Sequence, residues 1–219
     1  MKVAIFDFDG TLMARDTLPC LGRCWLQQNR SRVRYLRTLC TAMPHVLMWK
    51  AGILSRERMK VRVMTRFHRL FQGLTGDEIE QFLGEAYNQL KIFFNPLVLD
   101  ELRTVQKDGF YTVLLSGAYA GLVRAVGKDL GFDWVAGVDL PLREGVFDHR
   151  QRIPLIDGQV KLALLQQHLS GREVDWSASR SYGDSYDDRP VMDIVGHPVA
   201  VNAEPRLAAY ARANNWRML

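Results

Sequence analysis

The stretch KVAIFDFDGTLM, residues 2–13, decides the fold of this chain. Its apolar first half predicts a buried β-strand, and two aspartates, Asp7 and Asp9, follow with one residue between them. Period-two alternation would point both carboxylates to the same side, where two ionised groups repel each other. A bound cation removes that repulsion, and Gly10 lets the chain leave the strand sharply. The stretch therefore predicts a strand that ends in a metal-binding turn.

The composition predicts a folded protein rather than a disordered chain. Its 219 residues are 47% hydrophobic and 24% charged, which suits one domain or one domain with a modest insertion. The three cysteines, Cys20, Cys24 and Cys40, are an odd number, and no secretory signal is recognisable. We therefore expect a cytoplasmic location without disulfides. Polar residues interrupt the most apolar stretch, 38–54, so we expect no membrane span.

Two patterns divide the chain. Residues 15–91 have helical periodicity throughout, and Met59, Val63, Phe67 and Leu70 form one apolar stripe at helical spacing. Further along, strand-like apolar runs alternate with amphipathic helices. This alternation predicts an α/β fold with a mainly parallel sheet that helices cover on both faces.

Polar side chains stand at the ends of three of the predicted strands. They are Asp7 and Asp9, Ser116 with Gly117, and Asp184 with Asp188. Ligands of parallel sheets bind at the carboxyl ends of the strands, so these groups are expected to converge. Oxygen ligands without a nearby His or Cys suit a hard ion, above all Mg²⁺, and the serine hydroxyl with free N–H groups suits an anion. Lys161, one turn into a predicted helix, would neutralise a phosphate beside these acids.

These segments together resemble the four motifs of the haloacid dehalogenase superfamily, in the order in which that superfamily carries them. The matching segments are DFDGT at 7–11, Ser116-Gly117, Lys161 near the head of a helix, and GDSYDD at 183–188. More narrowly, the chain resembles the phosphoserine-phosphatase-like subclass, known as subfamily IB, which inserts a helical cap after the first motif. The resemblance implies a Rossmann-like α/β core over 1–14 and 92–219 and an all-α cap over 15–91.

The resemblance also implies a Mg²⁺-dependent phosphatase with assigned residue roles. Asp7 would be the nucleophile that forms an aspartyl-phosphate, and Asp9 would act as general acid and then as general base. Phosphate would contact Thr11, Ser116, Gly117 and Lys161. Mg²⁺ would be held by Asp7, the backbone carbonyl of Asp9 and Asp184, with Asp188 either as a further ligand or just outside the ligand set. Dehalogenases of the superfamily lack the second acid, so Asp9 favours phosphoryl transfer.

The substrate is less well defined. We expect a small phosphorylated metabolite, phosphoserine or a similar compound. A lipid-phosphate head group, transfer of the phosphoryl group to another acceptor, and binding of a phosphorylated ligand without turnover are the alternatives. Asp16 lies where phosphoserine phosphatases have a substrate-contacting glutamate, but an aspartate there is equally suited to cap the following helix. Asp187 stands where those enzymes often have asparagine, and its role is open.

The charge of the chain is concentrated in the predicted cap. Residues 15–91 contain 14 Lys and Arg against 6 Asp and Glu, whereas the whole chain has a net charge of +5. The arginines concerned include Arg30, Arg32, Arg34, Arg37, Arg58, Arg62, Arg66 and Arg69. Such residues either form a solvated helix face or attract an anionic substrate or membrane surface. We do not expect nucleic acid as a partner, because no aromatic platform or recognised binding module accompanies them. The oligomeric state is open.

Overall fold

The computed structural model describes residues 1–54, 56–154 and 156–219, without the side chains of Arg56 and Glu57. Ser55 of the predicted cap and Leu155 of the predicted core lie outside the described residues. The chain divides into two units. The first comprises residues 1–16, 90–138 and the described part of 155–219, and the second comprises the described parts of 17–89 and 139–154.

The first unit is built on a six-stranded sheet whose neighbouring strands are all parallel. The strands of the described chain are β1 Val3–Phe6, β2 Tyr111–Tyr119, β3 Trp134–Val138, β4 Leu142–Arg143, β5 Val146–Phe147, β6 Arg180–Gly183, β7 His197–Ala200 and β8 Arg217–Met218. The sheet has the order β3-β2-β1-β6-β7-β8, and β4 pairs with β5 as a separate antiparallel hairpin. This parallel sheet confirms the predicted α/β class.

The described helices fall into two groups. Those of the second unit are α1 Thr17–Gln27, α2 Arg32–Lys50, α3 Arg56–Phe67 and α4 Gly76–Leu90, and those of the first are α5 Pro96–Lys107, α6 Ala120–Leu130, α7 Gly158–His168, α8 Arg189–Met192 and α9 Pro205–Ala213. None of the helices in the described chain is long and apolar enough to cross a membrane.

Strand β1 lies at the centre of the first unit and is covered on both faces. Val3 and Ile5 belong to a buried cluster that includes Leu165 of α7. Phe6 points to the other side, as alternation in a strand requires, and stacks on Tyr182 of β6 with ring centroids 4.3 Å apart. Packing on both faces fixes the position of the strand end, and therefore of the acids that follow it.

The second unit is held together by an aromatic core. Trp25 and Phe82 are buried and meet edge to face at 5.5 Å between ring centroids. Phe71 packs against both Phe82 and Phe147, and Phe147 lies on the β4–β5 hairpin. The hairpin also accepts a hydrogen bond at the Gly145 carbonyl from the Gly76 amide, at 2.9 Å. These contacts explain why the hairpin belongs to the helical unit.

The hairpin therefore alters the expected division of the chain. The sequence-based boundaries place residues 139–154 in the core and describe the helical unit as one insertion over 15–91. In the structure, residues 139–154 are grouped with the helices. The assignment of one unit to catalysis and of the other to a cap remains a prediction.

Candidate active site

The chain turns sharply where β1 ends. The Asp7 amide donates a hydrogen bond to the Tyr182 carbonyl at 3.0 Å, which continues the pairing with β6 by one residue. Gly10 then adopts φ +83°, a conformation that side chains with a Cβ rarely accept. A Cβ at Gly10 would also collide with the carboxylate of Asp184. Two separate reasons, the positive φ and the lack of space for a Cβ, therefore favour glycine at position 10. The absence of a side chain there lets Asp184 approach the backbone that follows Asp7.

Lys161 connects two of the acids. Asp157 caps helix α7 by accepting hydrogen bonds from the amides of Gln159 and Val160, and Lys161 follows in the first turn of that helix. The Lys161 ammonium donates to Asp7 Oδ1 at 2.5 Å and to Asp188 Oδ1 at 2.6 Å. All three side chains are at most one-tenth exposed. The lysine therefore makes a buried ion pair with each of two carboxylates that are 181 residues apart in sequence.

The loop after β6 positions Asp188. Ser185 accepts a hydrogen bond from the Asp187 amide, and the Ser185 amide donates to Asp188 Oδ2 at 3.3 Å, so that the two ends of a short 3₁₀ turn cap each other. Asp188 thus contacts Lys161 through one oxygen and Ser185 through the other. Gly183 leaves room for this carboxylate, because a Cβ there would lie 2.9 Å from Asp188 Oδ2.

The acids form a site that fits a divalent cation. Asp7, Asp184 and Asp188 are buried, and each offers a carboxylate oxygen within 4.8 Å of the others. Three carboxylates and the single ammonium of Lys161 leave two negative charges in this group when all are ionised. A purely oxygen donor set suits a hard ion such as Mg²⁺. The Asp9 carboxylate is half-buried and does not belong to the cluster found among the described residues.

The environment shifts the pKa of Asp7 and Lys161 in the same direction. Burial raises the pKa of the Asp7 carboxyl to about 7, against the opposing attraction of Lys161. Burial alone would lower the pKa of Lys161, but the negative charges of Asp188 and Asp7 raise it above its ordinary value. Lys161 is therefore a permanent cation, and a further positive charge near Asp7 would lower the pKa of that carboxyl.

The predicted anion-binding residues Thr11, Ser116 and Gly117 differ in their local surroundings. Thr11 is fully buried, and its hydroxyl has no hydrogen-bond partner within the part of the chain that the structure describes. Ser116 is also buried, and its Oγ accepts a hydrogen bond from the Ala118 amide at 3.0 Å. Gly117 follows inside β2, where the pairing with β3 shifts register between Leu115 and Tyr119. The helix after this segment begins at Ala120.

Asp16 and Asp187 have different surroundings. Asp16 is exposed immediately before α1 and lies outside the carboxylate cluster, so its contact with substrate stays a prediction. Asp187 is half-buried, and its backbone carbonyl lies so near Gly158 that a Cβ on this glycine would overlap with it. Sequence reasoning did not assign roles to Asp157 and Ser185. Both carried a recognisable signal, an aspartate just before a helical pattern and a serine three residues before an acid.

The fold and the acid–lysine cluster define a hydrolase of the haloacid dehalogenase type. The model of the family "haloacid dehalogenase-like hydrolase" matches residues 4–193. The chain belongs to this family.

Curated relatives cover most of the chain at low identity. The "Inhibition of morphological differentiation protein" of Streptomyces azureus is 24% identical, over 99% of this chain and 77% of its own length. A phosphoserine phosphatase of Idiomarina loihiensis is 27% identical, over 94% of this chain and 84% of its own length.

Solved structures share the fold. A protein of unknown function from Bordetella pertussis Tohama I has a TM-score of 0.80 at 19% identity, covering 100% of this chain and 97% of its own. A substrate-bound phosphoserine phosphatase complex has a TM-score of 0.66 at 16% identity, covering 95% of this chain and 89% of its own. At such identities the likeness concerns the fold alone.

Proposed function

We propose that this protein is a Mg²⁺-dependent phosphatase that hydrolyses a small phosphomonoester through an aspartyl-phosphate on Asp7. The observation that carries the proposal is the buried cluster in which Lys161 bonds both Asp7 and Asp188 while Asp184 lies within 4.8 Å of these two acids. Burying a lysine with carboxylates costs desolvation free energy that their attraction offsets only in part, so such a cluster favours a functional role over a purely structural one. Neutralising a phosphoryl group beside a carboxylate nucleophile is such a role.

Asp7 is the proposed nucleophile. One of its carboxylate oxygens attacks phosphorus, the bond from phosphorus to the ester oxygen breaks, and the alkoxide leaves. Lys161 keeps the carboxylate oriented and offsets the charge that accumulates as the phosphoryl oxygens approach. Burial leaves the Asp7 carboxylate poorly solvated, and the same burial raises its pKa. Less water therefore has to be removed from this carboxylate before it attacks phosphorus.

Asp9 is the proposed acid and base. As a residue, Asp9 is more accessible than Asp7, which suits a group that exchanges protons. It gives a proton to the leaving alkoxide, and it then takes one from the water that attacks phosphorus and releases inorganic phosphate. The Thr11 hydroxyl, Ser116 and the Gly117 amide would donate hydrogen bonds to the phosphoryl oxygens.

The three carboxylates of the cluster have different proposed roles, either binding the cation or positioning Lys161. Both oxygens of Asp188 have partners in Lys161 and Ser185, so we assign Asp188 chiefly to positioning Lys161. Asp7 and Asp184 are then the main side-chain ligands, with the Asp9 carbonyl beside them. When bound, Mg²⁺ would offset the negative charge of the phosphoryl group.

The proposed substrate class is a small phosphorylated metabolite. Several relatives, including that of Idiomarina loihiensis, are named phosphoserine phosphatases, which supports a phosphoserine-like compound. We also propose that the enzyme acts in the cytoplasm. Phosphate release from a panel of phosphorylated amino acids, sugars and lipid head groups would identify the substrate. Turnover confined to lipid phosphates would contradict the proposed class.

The chemistry is tested with p-nitrophenyl phosphate. Asp7→Asn keeps the size of the side chain and removes the nucleophile, so turnover should fall by at least about 10³-fold. The protein should still fold, because Lys161 keeps Asp188 as a counterion. Asp77→Asn, at an exposed acid of α4, is the matched control and should keep full activity. EDTA should abolish turnover, and added Mg²⁺ should restore it. Substantial activity of Asp7→Asn, or full activity in EDTA, would refute the proposal.

A further inference from the structure

Helix α2 presents a row of exposed apolar side chains along one side. The row, which we call the apolar face of α2, consists of Val33, Leu36, Cys40, Met43 and Leu47. Spacings of three and four residues place all five on one side of a helix. Val33 is 72% exposed, Leu36 56% and Leu47 58%.

The helical unit uses the opposite side of α2 for its own packing. The buried residues of the helix are Thr38 and Ala42, which lie about half a turn away from the apolar face. An ordinary surface helix buries its apolar side and exposes its polar side. In α2 the large apolar residues are instead exposed, so this face is built to contact something other than water.

Two more large apolar side chains are exposed near the end of the helix. Trp49, in the last turn, is 37% exposed, and Ile53, just after it, is 70% exposed. At 100° per residue, Trp49 lies close to Ala42 and not on the apolar face, so Trp49 and Ile53 are further exposed apolar residues of this segment and not part of that face.

The charged residues of α2 itself are all positive. Between Asp16 and Glu57 the sequence contains no acidic residue. At 100° per residue, Arg37 flanks the apolar face on one side, and Arg32 and Lys50 flank it on the other. An apolar helix face between basic flanks is the arrangement of helices that lie in the plane of an anionic membrane surface.

We propose that the apolar face of α2 docks onto the surface of an anionic lipid bilayer, with the helix parallel to the surface. Its leucines would enter the boundary of the acyl chains, and the flanking arginines and Lys50 would contact lipid phosphates. A second copy of this chain is a poorer occupant. Two such faces would bring their basic flanks together with no acid from this segment to pair with them. The inference goes beyond the proposed function, and its test requires no turnover.

The test is co-sedimentation of the purified protein with vesicles. The wild type should bind phosphatidylcholine vesicles that contain about 30% phosphatidylglycerol, and binding should weaken strongly between about 0.05 M and 0.5 M salt. Vesicles of phosphatidylcholine alone should bind far less. Leu36→Ser with Leu47→Ser should lower the partition coefficient by roughly tenfold or more. Arg32→Gln with Arg37→Gln should lower it by about 30-fold.

Matched controls separate docking from general surface changes. Leu97→Ser removes a leucine of α5 that is also 58% exposed, and Arg212→Gln removes an exposed charge of α9. Both should bind vesicles like the wild type. Circular dichroism must show unchanged helix content in every variant. The proposal is overturned if the wild type does not bind anionic vesicles at low salt. It is also overturned if the leucine pair changes only self-association in analytical ultracentrifugation, which would assign the face to a second copy.

Discussion

Replacing Lys161 by methionine is the sharpest perturbation of the candidate site. Methionine has a similar length but no charge, so Lys161→Met leaves the Asp7 and Asp188 carboxylates buried without the cation that both contact. Removing one partner of a buried ion pair typically costs about 3–5 kcal/mol. At about 2–4 °C per kcal/mol for a protein of this size, the melting temperature should fall by about 6–20 °C.

The sign of the pH dependence follows from the lost attraction. Lys161 lowers the pKa of Asp7 in the wild type, so its removal raises that pKa further above the value in the unfolded chain. A carboxyl with a raised folded-state pKa stabilises the fold at low pH and loses that contribution as the pH rises through the folded-state value. The stability deficit of Lys161→Met should therefore be larger at pH about 8 than at pH about 5.5.

Thermal unfolding in EDTA at the two pH values measures this deficit. Lys128→Met, at an exposed lysine of α6, is the matched control and should melt like the wild type. Added Mg²⁺ should recover part of the loss, because a cation near Asp7 replaces some of the missing charge. Turnover should fall by about 10²–10³-fold. A Lys161→Met protein that melts within about 2 °C of the wild type at pH about 8 would refute this account of the cluster.

Three further predictions test other parts of the structure. Gly10→Ala introduces a Cβ that collides with Asp184 at a positive φ, so the Mg²⁺ concentration for half-maximal turnover should rise and kcat should fall by at least about tenfold. Thr11→Val removes a buried hydroxyl without a protein partner among the described residues, so stability should be unchanged or higher while inhibition by inorganic phosphate weakens. Burial lowers the pKa of His68 to about 4, so stability should fall by up to about 3 kcal/mol as the pH drops from about 6.5 to about 4.

Each of these predictions has a control within the chain. Gly73→Ala also replaces a glycine with positive φ, but its Cβ would meet nothing within 4 Å, so it should leave the Mg²⁺ requirement unchanged. Thr112→Val removes a hydroxyl that bonds Asp133 and should lower the melting temperature. His149→Gln, at an exposed histidine, should leave the acid destabilisation intact, whereas His68→Gln should reduce it. The argument for Thr11 would be contradicted if Thr11→Val were less stable than the wild type, and that for Gly10 if Gly10→Ala had an unchanged Mg²⁺ requirement. The argument for His68 would be contradicted if His68→Gln lost as much stability at low pH as the wild type.

Much of the first unit follows from local sequence. The apolar run before Asp7 is the central strand β1, and the strand-like run that ends at Ser116 lies inside β2. The predicted convergence of strand ends rests on a general property of parallel sheets, so it did not depend on any particular side chain. The structure confirms the predicted fold class, and it places Asp7 and Asp184 in one carboxylate cluster. The family membership likewise follows from four short motifs in order.

Other features could not be read from the sequence, because they depend on which distant segments pack together. The β4–β5 hairpin looked like part of the core, but Phe147 packs on Phe71 of the helical unit. The dual contact of Lys161 with Asp7 and Asp188 depends on how α7 packs against the sheet, and Gly158 permits its close approach to the Asp187 carbonyl.

The sequence by itself determined the class of fold, because strand periodicity and turn chemistry act over a few neighbouring residues. The order of its motifs resembles the haloacid dehalogenase superfamily, and that resemblance supplied the candidate nucleophile. Tertiary structure alone decided which acid Lys161 holds in addition to Asp7, which hydroxyl is buried without a partner, and which face of α2 remains exposed. Those properties depend on burial and on distances between residues far apart in the chain. The opening stretch illustrates the division: its two acids are evident in the sequence, but only the folded chain encloses Asp7 with the lysine and the other carboxylates.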